Sequence, residues 1–235
     1  MLPLAILAGG LAKRLRPLTD TIPKALITVA GEPFLAHQLR LVRNRGVRHV
    51  VLCVGYLGEM VRDFAEDGRR FGLEVQYSFD GGRLLGTAGA LRKALPLLGD
   101  RFLVMYGDSY LPCDYYAVED AFLESGREGL MTVFHNEGQW DASNVEFCDG
   151  RILAYSKNQS DPSMRHIDYG LGALRASALD NLNDMAPSDL AAVYQDLVAR
   201  GELAAFEVDE RFYEIGSFEG LAALEEMLVE TGGGQ

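Results

Sequence analysis

The segment from Leu4 to Lys24, LAILAGGLAKRLRPLTDTIPK, sets two adjacent glycines, several basic side chains and a Pro-Lys pair directly behind a short apolar run. Holding a triphosphate is the chemistry such a pattern serves. Leu4, Ala5, Ile6, Leu7 and Ala8 read as a strand buried on both faces of a parallel sheet. Gly9 and Gly10 permit a sharp turn and let main-chain N–H groups approach an anion with no Cβ in the way. Lys13, Arg14 and Arg16 follow in one loop, where the planar fork of Arg14 can clamp two phosphate oxygens and a lysine acts as a compact point charge. Pro17 and Pro23 stiffen the loop, and Pro23 presets the backbone just before Lys24. The segment contains neither G-x-x-x-x-G-K-[ST] nor G-x-G-x-x-G, so the cradle is not a P-loop or a dinucleotide fingerprint.

The elements that must position this loop follow from hydrophobic periodicity. Pro33 to Arg45 has helical spacing, His49 to Val54 reads as a strand, Leu57 to Ala65 as a helix and Leu73 to Phe79 as a strand. Ala88 to Leu95 reads as a helix ended by Pro96, and Phe102 to Tyr106 as a strand. This alternation predicts a Rossmann-like three-layer α/β/α fold with a mostly parallel, mixed central sheet. Beyond Asp108 the rhythm changes. Ala117 to Glu124 reads as a helix and Gly129 to His135 as a strand, and Asp149-Gly150 marks a hairpin between Val145–Phe147 and Ile152–Tyr155. His166 to Leu174 and Phe212 to Ile215 read as strands, Leu190 to Ala199 and Phe218 to Val229 as helices. One domain over residues 1–230 is expected, with a nucleotide half to about residue 110 and a sugar half from 111. Residues 231–235, a Gly-rich end, are expected to be disordered.

Composition narrows the partners. A net charge of −12 with no long basic block disfavours nucleic acid and a polybasic membrane anchor, so a ligand's negative charge must be met locally. Cys53, Cys113 and Cys148 are odd in number and lack C-x-x-C spacing, which fits reduced thiols in a cytoplasmic protein. His37, His49, His135 and His166 show no ligand spacing. No apolar run reaches the ~20 residues of a membrane span. The partners expected are therefore small molecules, with a homodimer left open.

The opening loop resembles that of the sugar-phosphate nucleotidylyltransferases, whose pattern is L-A-G-G-x-G-T-R-L-x-P-x-T-x-x-x-P-K. Leu7, Ala8, Gly9, Gly10, Arg14, Leu15, Pro17, Thr19, Pro23 and Lys24 keep that register. Ala12 and Lys13 stand where the family has glycine and threonine or serine. The resemblance implies that Gly107-Asp108 supplies a magnesium-ligating aspartate. It also implies that Phe212-Tyr213-Glu214-Ile215-Gly216-Ser217 matches the family's late W-x-D-[IV]-G-[TS], with Glu214 as second metal ligand in place of aspartate. Leu85-Gly86-Thr87-Ala88-Gly89-Ala90 corresponds to the nucleobase and ribose segment, where the bland alternative is a helix start capped by Thr87. On the sugar side, Asn144-Val145-Glu146 resembles Y-G-N-V-E, Tyr155-Ser156-Lys157 resembles E-K-P, and Asp168 with Gly170 lies where the family has N-G-G.

Taken together, the resemblance implies a Mg²⁺-dependent enzyme joining a nucleoside triphosphate to a sugar 1-phosphate. Arg14, Lys24 and Asp108 would be catalytic. Leu7, Ala8, Gly9, Gly10, Lys13, Arg14, Gly86, Thr87, Ala88 and Asp108 would bind the nucleotide. Lys24, Tyr106, Asn144, Lys157, Asp168 and Gly170 would bind the sugar phosphate. GTP with a heptose 1-phosphate is the substrate pair the chain looks most like. UTP with a muramate or hexose 1-phosphate, a phosphocholine-type cytidylyltransferase, and a non-catalytic nucleotide-sugar-binding regulatory module are the alternatives. A glycosyltransferase on a similar fold is disfavoured, because no D-x-D triplet follows Tyr106.

Overall fold

A computed structural model describes residues 1–10, 13–136, 138–157, 161–182 and 186–232. In chain order the elements are β1 (Leu4–Leu7), β2 (Thr28–Val29), β3 (Glu32–Pro33), α1 (Phe34–Asn44), β4 (His49–Val54), α2 (Gly58–Ala65), β5 (Glu74–Phe79), α3 (Gly86–Leu98) and β6 (Arg101–Tyr106). There follow β7 (Ser109–Tyr110), α4 (Tyr115–Ser125), β8 (Gly129–His135), β9 (Val145–Cys148), β10 (Arg151–Tyr155), β11 (His166–Arg175), α5 (Leu190–Arg200), β12 (Leu203–Val208), β13 (Tyr213–Glu214) and α6 (Phe218–Gly232).

A nine-stranded mixed sheet runs β10-β9-β11-β6-β1-β4-β5, with β8 on β11 and β12 on β8. Strands β6, β1, β4 and β5 are parallel, whereas β11 runs antiparallel to β6, β8 and β9. The alternation of side chains along β1 makes the layers. Leu4 and Ile6 enter one core with Leu35 and Leu39 of α1, and Ala5 enters the other with Ala88 and Leu91 of α3. A smaller cluster of Val29, Phe34, Ile215 and Leu224 seats α6 against the opening segment. No helix among the described residues is long and apolar enough to cross a membrane.

Several sequence expectations need correction. Pro96 does not end α3, which continues to Leu98. The hydrogen bond that proline removes falls in the last turn, and burial of Leu98 at 3% exposure against the sheet holds that turn in place. Strand β12 escaped the periodicity reading because Leu203–Val208 has no clean alternation. It forms because Leu203 to Val208 can pair in parallel along the whole of β8. The C-terminal helix runs on through Thr231 and Gly232, so the disorder expected from residue 231 does not begin there, and residues 233–235 lie outside the described residues. The Asp149-Gly150 hairpin has the expected turn, with φ of 49° and 74°.

The strand order places a switch point between β1 and β6. After β1 the chain goes to β4 and β5 on one side and returns to β6 on the other, which opens a crevice beyond the carboxyl ends of β1 and β6. Gly107 closes the floor of that crevice: its N–H donates to Leu7 O at 3.0 Å. A Cβ there would lie 2.7 Å from Leu7 O and 2.9 Å from Ala8 Cα, backbone atoms that cannot yield without shifting both loops. Gly107→Ala is therefore expected to cost about 1–3 kcal/mol in urea unfolding. Gly82→Ala, whose Cβ meets nothing within 4 Å, should change stability by less than about 0.5 kcal/mol. Equal behaviour of the two variants would contradict this packing.

Candidate active site

A cavity of about 330 Å³ occupies the crevice at the switch point, lined by Leu7, Ala8, Gly9, Gly10, Arg14, Lys24, Cys53, Asp80, Leu84, Gly86, Thr87, Tyr106, Gly107, Asp108 and Gly216 among others. Much of the opening loop and the two later nucleotide segments therefore meet here. Gly9 has a steric reason to be glycine, since a Cβ on it would stand 3.1 Å from Gly55 N. Gly10 faces open space, so its part is to leave the main chain accessible. Ala12 lies outside the described residues, and so does the side chain of Lys13, whose backbone begins a 3-10 turn with Arg14 and Leu15.

The charged end of the cavity is built by two loops. Pro23 is extended at φ −64°, and the following turn, Lys24–Leu26, is pinned by buried Ala25 and Ile27. That turn aims Lys24 at Asp108, and Lys24 Nζ lies 2.6 Å from Asp108 Oδ2, with side-chain exposures of 16% and 35%. From behind, the fully buried Gln38 of α1 donates its amide to Tyr106 O at 3.3 Å and Ser109 O at 2.8 Å, bracing the backbone on both sides of Asp108. Arg14 Nη2 and Lys24 Nζ lie 3.2 and 3.1 Å from the point a Cβ on Gly216 would occupy. Two cations thus converge on one mouth of the cavity, with Asp108 beside Lys24 and Glu214 Oε2 nearer still to the same point.

Glu214 is adjacent, and its Oε2 lies close to the same point as Arg14 Nη2 and Lys24 Nζ. Its strand pairs with Ser109, yet its carboxylate accepts from the Gly216 N–H and, at 2.8 Å, from the Ser217 hydroxyl, at the N-terminus of α6. Free N–H groups and the positive helix end draw a carboxylate there. Asp108 fits a cation at this mouth, and the Lys24 ammonium beside it shows that the place favours positive charge. Magnesium asks for one or two carboxylates with phosphates and waters, so Asp108 with a bound triphosphate meets that need.

Thr87 lines the cavity while its hydroxyl is engaged elsewhere, and Ala88 lies behind it. Thr87 Oγ1 donates to Asp189 Oδ1 at 3.1 Å and accepts from Leu190 N–H at 2.7 Å. Its hydroxyl helps cap α5 rather than its own helix. Ala88 is fully buried and gives its N–H to Ser188 O at 2.9 Å, so it packs the core and does not line the cavity. Gly86, at φ 76°, admits Ser188 so closely that any Cβ would strike it.

The sugar-side residues form a second group beside Tyr106. Asn144 Oδ1 accepts the Asp168 N–H at 2.9 Å, and Asp168 Oδ1 accepts the Gly170 N–H at 3.0 Å. Gly170, at φ 100°, is a bend that aims Asp168. Burial raises the Asp168 carboxyl to about 6 against the pull of the Gly170 N–H, the Tyr155 hydroxyl and Lys157. Burial and the Asp168 charge likewise push the Tyr106 phenol well up, so it remains a neutral donor. Lys157 Nζ lies 2.6 Å from Asp189 Oδ2. Burial raises Asp189, but Lys157, the Ala191 N–H and Thr87 outweigh it and bring the carboxyl below its ordinary value.

Asp189 thus ties Lys157 to Thr87, across the line between the two halves of the chain. Sequence reasoning passed over Asp189, although Ser188-Asp189 before an apolar helix is a cap signal. It also passed over Gly55, which no local signal marks. The thiol of Cys53, in the cavity wall, is pushed up to about 12 by burial and by the Asp80 charge, and is inert as a nucleophile.

Known proteins share this sequence and architecture. Residues 4–142, more than half of the chain, match the family described as nucleotidyl transferase. N-acetylmuramate alpha-1-phosphate uridylyltransferase of Neisseria meningitidis serogroup B is 41% identical over 113 residues, covering 48% of this chain and 49% of that protein. The mannose-1-phosphate guanylyltransferase catalytic subunit beta of Danio rerio is 30% identical over 217 residues, 90% of this chain and 60% of that one. The chain thus spans about half to three fifths of these relatives. HddC from Yersinia pseudotuberculosis, solved with GMP-PN, superposes with a TM-score of 0.78 at 22% identity, covering 97% of this chain and 100% of that one, which is a likeness of fold. On the match of residues 4–142 and the motifs of its opening loop, the chain belongs to the nucleotidyl transferase family, among the sugar-phosphate nucleotidylyltransferases.

Proposed function

We propose that this protein joins a nucleoside triphosphate to a sugar 1-phosphate, releasing pyrophosphate. An oxygen of the sugar phosphate forms a bond to the α-phosphorus while the bond from that phosphorus to the bridging oxygen breaks. Pyrophosphate leaves with the electron pair, and no covalent enzyme intermediate is needed. The observation that carries this reading is the 2.6 Å Lys24–Asp108 pair, set beside Arg14 at the sheet's switch point and facing Gly9 and Gly10.

Positioning and charge do the work in such a transfer. Arg14 and Lys24 offset charge on the α-phosphate and the departing pyrophosphate, and the accessible N–H groups of the glycine turn hold the outer phosphates. Asp108 would hold magnesium, which when bound supplies further positive charge to the phosphate oxygens. Lys24 then exchanges Asp108 for phosphate. On the sugar side Lys157 binds the sugar phosphate, and Asp168, Asn144 and Tyr106 take sugar hydroxyls. Lys157 must leave Asp189 to do so, and because that pair is half exposed the exchange costs little.

The substrate pair we favour is GTP with a heptose 1-phosphate. The relative covering nine tenths of the chain is named a guanylyltransferase, and the HddC structure was solved with GMP-PN. The heptose rests on the resemblance of the sequence. The second reading, UTP with a muramate or hexose 1-phosphate, has the 41%-identical Neisseria relative in its favour. A pyrophosphate-release panel crossing GTP, UTP, CTP and ATP with heptose, mannose, muramate and glucose 1-phosphates and phosphocholine separates them. Release from none of these pairs by folded protein would leave the non-catalytic module as the better account.

Two outcomes are specific to this geometry. Asp108→Asn should lower kcat/KM by at least about 100-fold and raise the Mg²⁺ concentration needed for half-maximal rate. Full Mg²⁺-dependent turnover by that variant would remove Asp108 from its role. Asp168 supplies the second. Its folded carboxyl holds a proton up to about pH 6, whereas the unfolded chain releases it near pH 4. Unfolding therefore releases a proton between those values, and wild-type stability falls as pH rises through that window. Asp168→Asn should match wild type below pH 4 and exceed it by up to about 2–3 kcal/mol above pH 6 in chemical denaturation, while binding sugar phosphate less well. A pH-independent difference would contradict the assignment.

A further inference from the structure

The opening loop that carries Arg14 arches from Gly10 to Lys24 with Arg16, Pro17, Leu18 and Asp20 exposed. Part of its shape is its own. Leu15 and Thr19 are buried, the Asp20 N–H donates to Pro17 O at 3.1 Å, and Arg16 Nε lies 3.2 Å from Asp20 Oδ1. The turn between β4 and α2 meets this loop at two places. At the base of the loop Gly55 stands against the glycine turn, where a Cβ on it would lie 2.9 Å from Gly9 O. Further out, the Tyr56 hydroxyl donates to Asp20 O at 2.9 Å. Packing fixes the backbone that carries Tyr56. Gly55 is hemmed in by Gly9 and Leu84, a Cβ on Gly58 would strike Val54 Cβ at 2.9 Å, and Leu57 between the glycines is held left-handed at φ 53°. A leucine takes that conformation at a cost, and it persists only where the surroundings over-determine it.

We propose that Tyr56 is a positioning residue for the triphosphate: its hydroxyl clasps the opening loop at Asp20 and thereby holds Arg14 at the charged mouth of the cavity. This rests on the nucleotidyl-transfer reading and names what keeps its phosphate loop in place. The Lys24 end of the loop has its own anchors, the Asp108 pair and the buried Ala25 and Ile27. The Arg14 end has no such ion pair among the described residues, yet Arg14 must reach the same point beside Gly216 that Lys24 approaches. The strained turn at Leu57 supplies the missing fixed point through Tyr56. A loop already ordered when the ligand arrives spares the triphosphate the cost of ordering it. Loss of the clasp therefore weakens the ground state and the transition state alike, which raises KM and leaves kcat unchanged. The net worth of one such hydrogen bond corresponds to a change of about three- to tenfold.

The test compares Tyr56→Phe, which removes only the hydroxyl, with Tyr77→Phe, which removes a hydroxyl that donates to Glu66 O at 2.5 Å between β5 and the end of α2. Two measurements on the full chain need no turnover. One is calorimetric binding of GTP, UTP, CTP and ATP with Mg²⁺ and no sugar phosphate, and the other is the rate of trypsin cleavage after Lys13 and Arg14. Tyr56→Phe should bind the triphosphate that wild type prefers about three- to tenfold more weakly and, without nucleotide, be cut at least about threefold faster. Saturating triphosphate should return its cleavage to the wild-type rate, and its thermal unfolding midpoint should be unchanged, since Tyr56 is half-buried and keeps its ring. Tyr77→Phe should match wild type in both measurements. In turnover, KM for the triphosphate should rise by the same factor with kcat within about twofold of wild type. Wild-type affinity and cleavage in Tyr56→Phe, equal losses in Tyr77→Phe, a fall in kcat at constant KM, or no binding of any triphosphate to wild type would overturn the proposal. The expected losses in Tyr56→Phe with no pyrophosphate release by wild type from any sugar 1-phosphate would instead leave the clasp standing and remove the transferase reading.

Discussion

The ion pair between Lys24 and Asp108 is the contact on which the rest of the site depends. Residues 84 positions apart meet at 2.6 Å, which requires the opening loop to fold back over the carboxyl end of β6. Neither partner is deeply buried, so the attraction alone contributes little to stability. Its importance lies in what it defines. It fixes where positive charge can stand beside Asp108, and it keeps both groups from collapsing onto other partners. Gln38 holds the loop behind Asp108, and the Pro23 turn holds the stem of Lys24. The pair closes a structure already braced on both sides.

Close approaches of backbone make the remaining walls. Gly107 lies against Ala8, Gly9 against Gly55, and Gly86 against Ser188, and a Cβ at any of them would push apart the segments that line the cavity. The same economy appears in the polar contacts between the two halves of the chain. Asp189 accepts from Thr87 and Lys157 while capping α5, so one carboxylate links the start of α3, the Lys157 ammonium and a helix end.

Much of the fold was legible beforehand, for reasons that differ between the halves. Buried parallel strands such as His49–Val54 are short apolar runs between glycines and helices, and this signal is strong because both faces must be apolar. The Asp149-Gly150 turn was legible because few dipeptides tolerate positive φ at both positions. Strand β12 and the two-residue strand β7 were not, since they exist through partners that periodicity cannot see, whereas β13 lies within the strand read over Phe212 to Ile215. The end of α3 was misplaced because a local rule about Pro96 yielded to burial of Leu98.

Among the site residues, local chemistry separates from tertiary placement. The order Gly-Gly, Arg14, Pro23-Lys24 and Gly107-Asp108 was enough by itself to raise the expectation of a phosphate cradle, because turn-forming and basic residue types stand together there. That Glu214 accepts hydrogen bonds beside the start of α6, that Thr87 helps cap α5, and that Asp80 reaches the cavity beside Gly55 were decided only by the tertiary structure. The reason is physical: a side chain's role follows from which donors and charges crowd around it, and those come from segments far away in the chain.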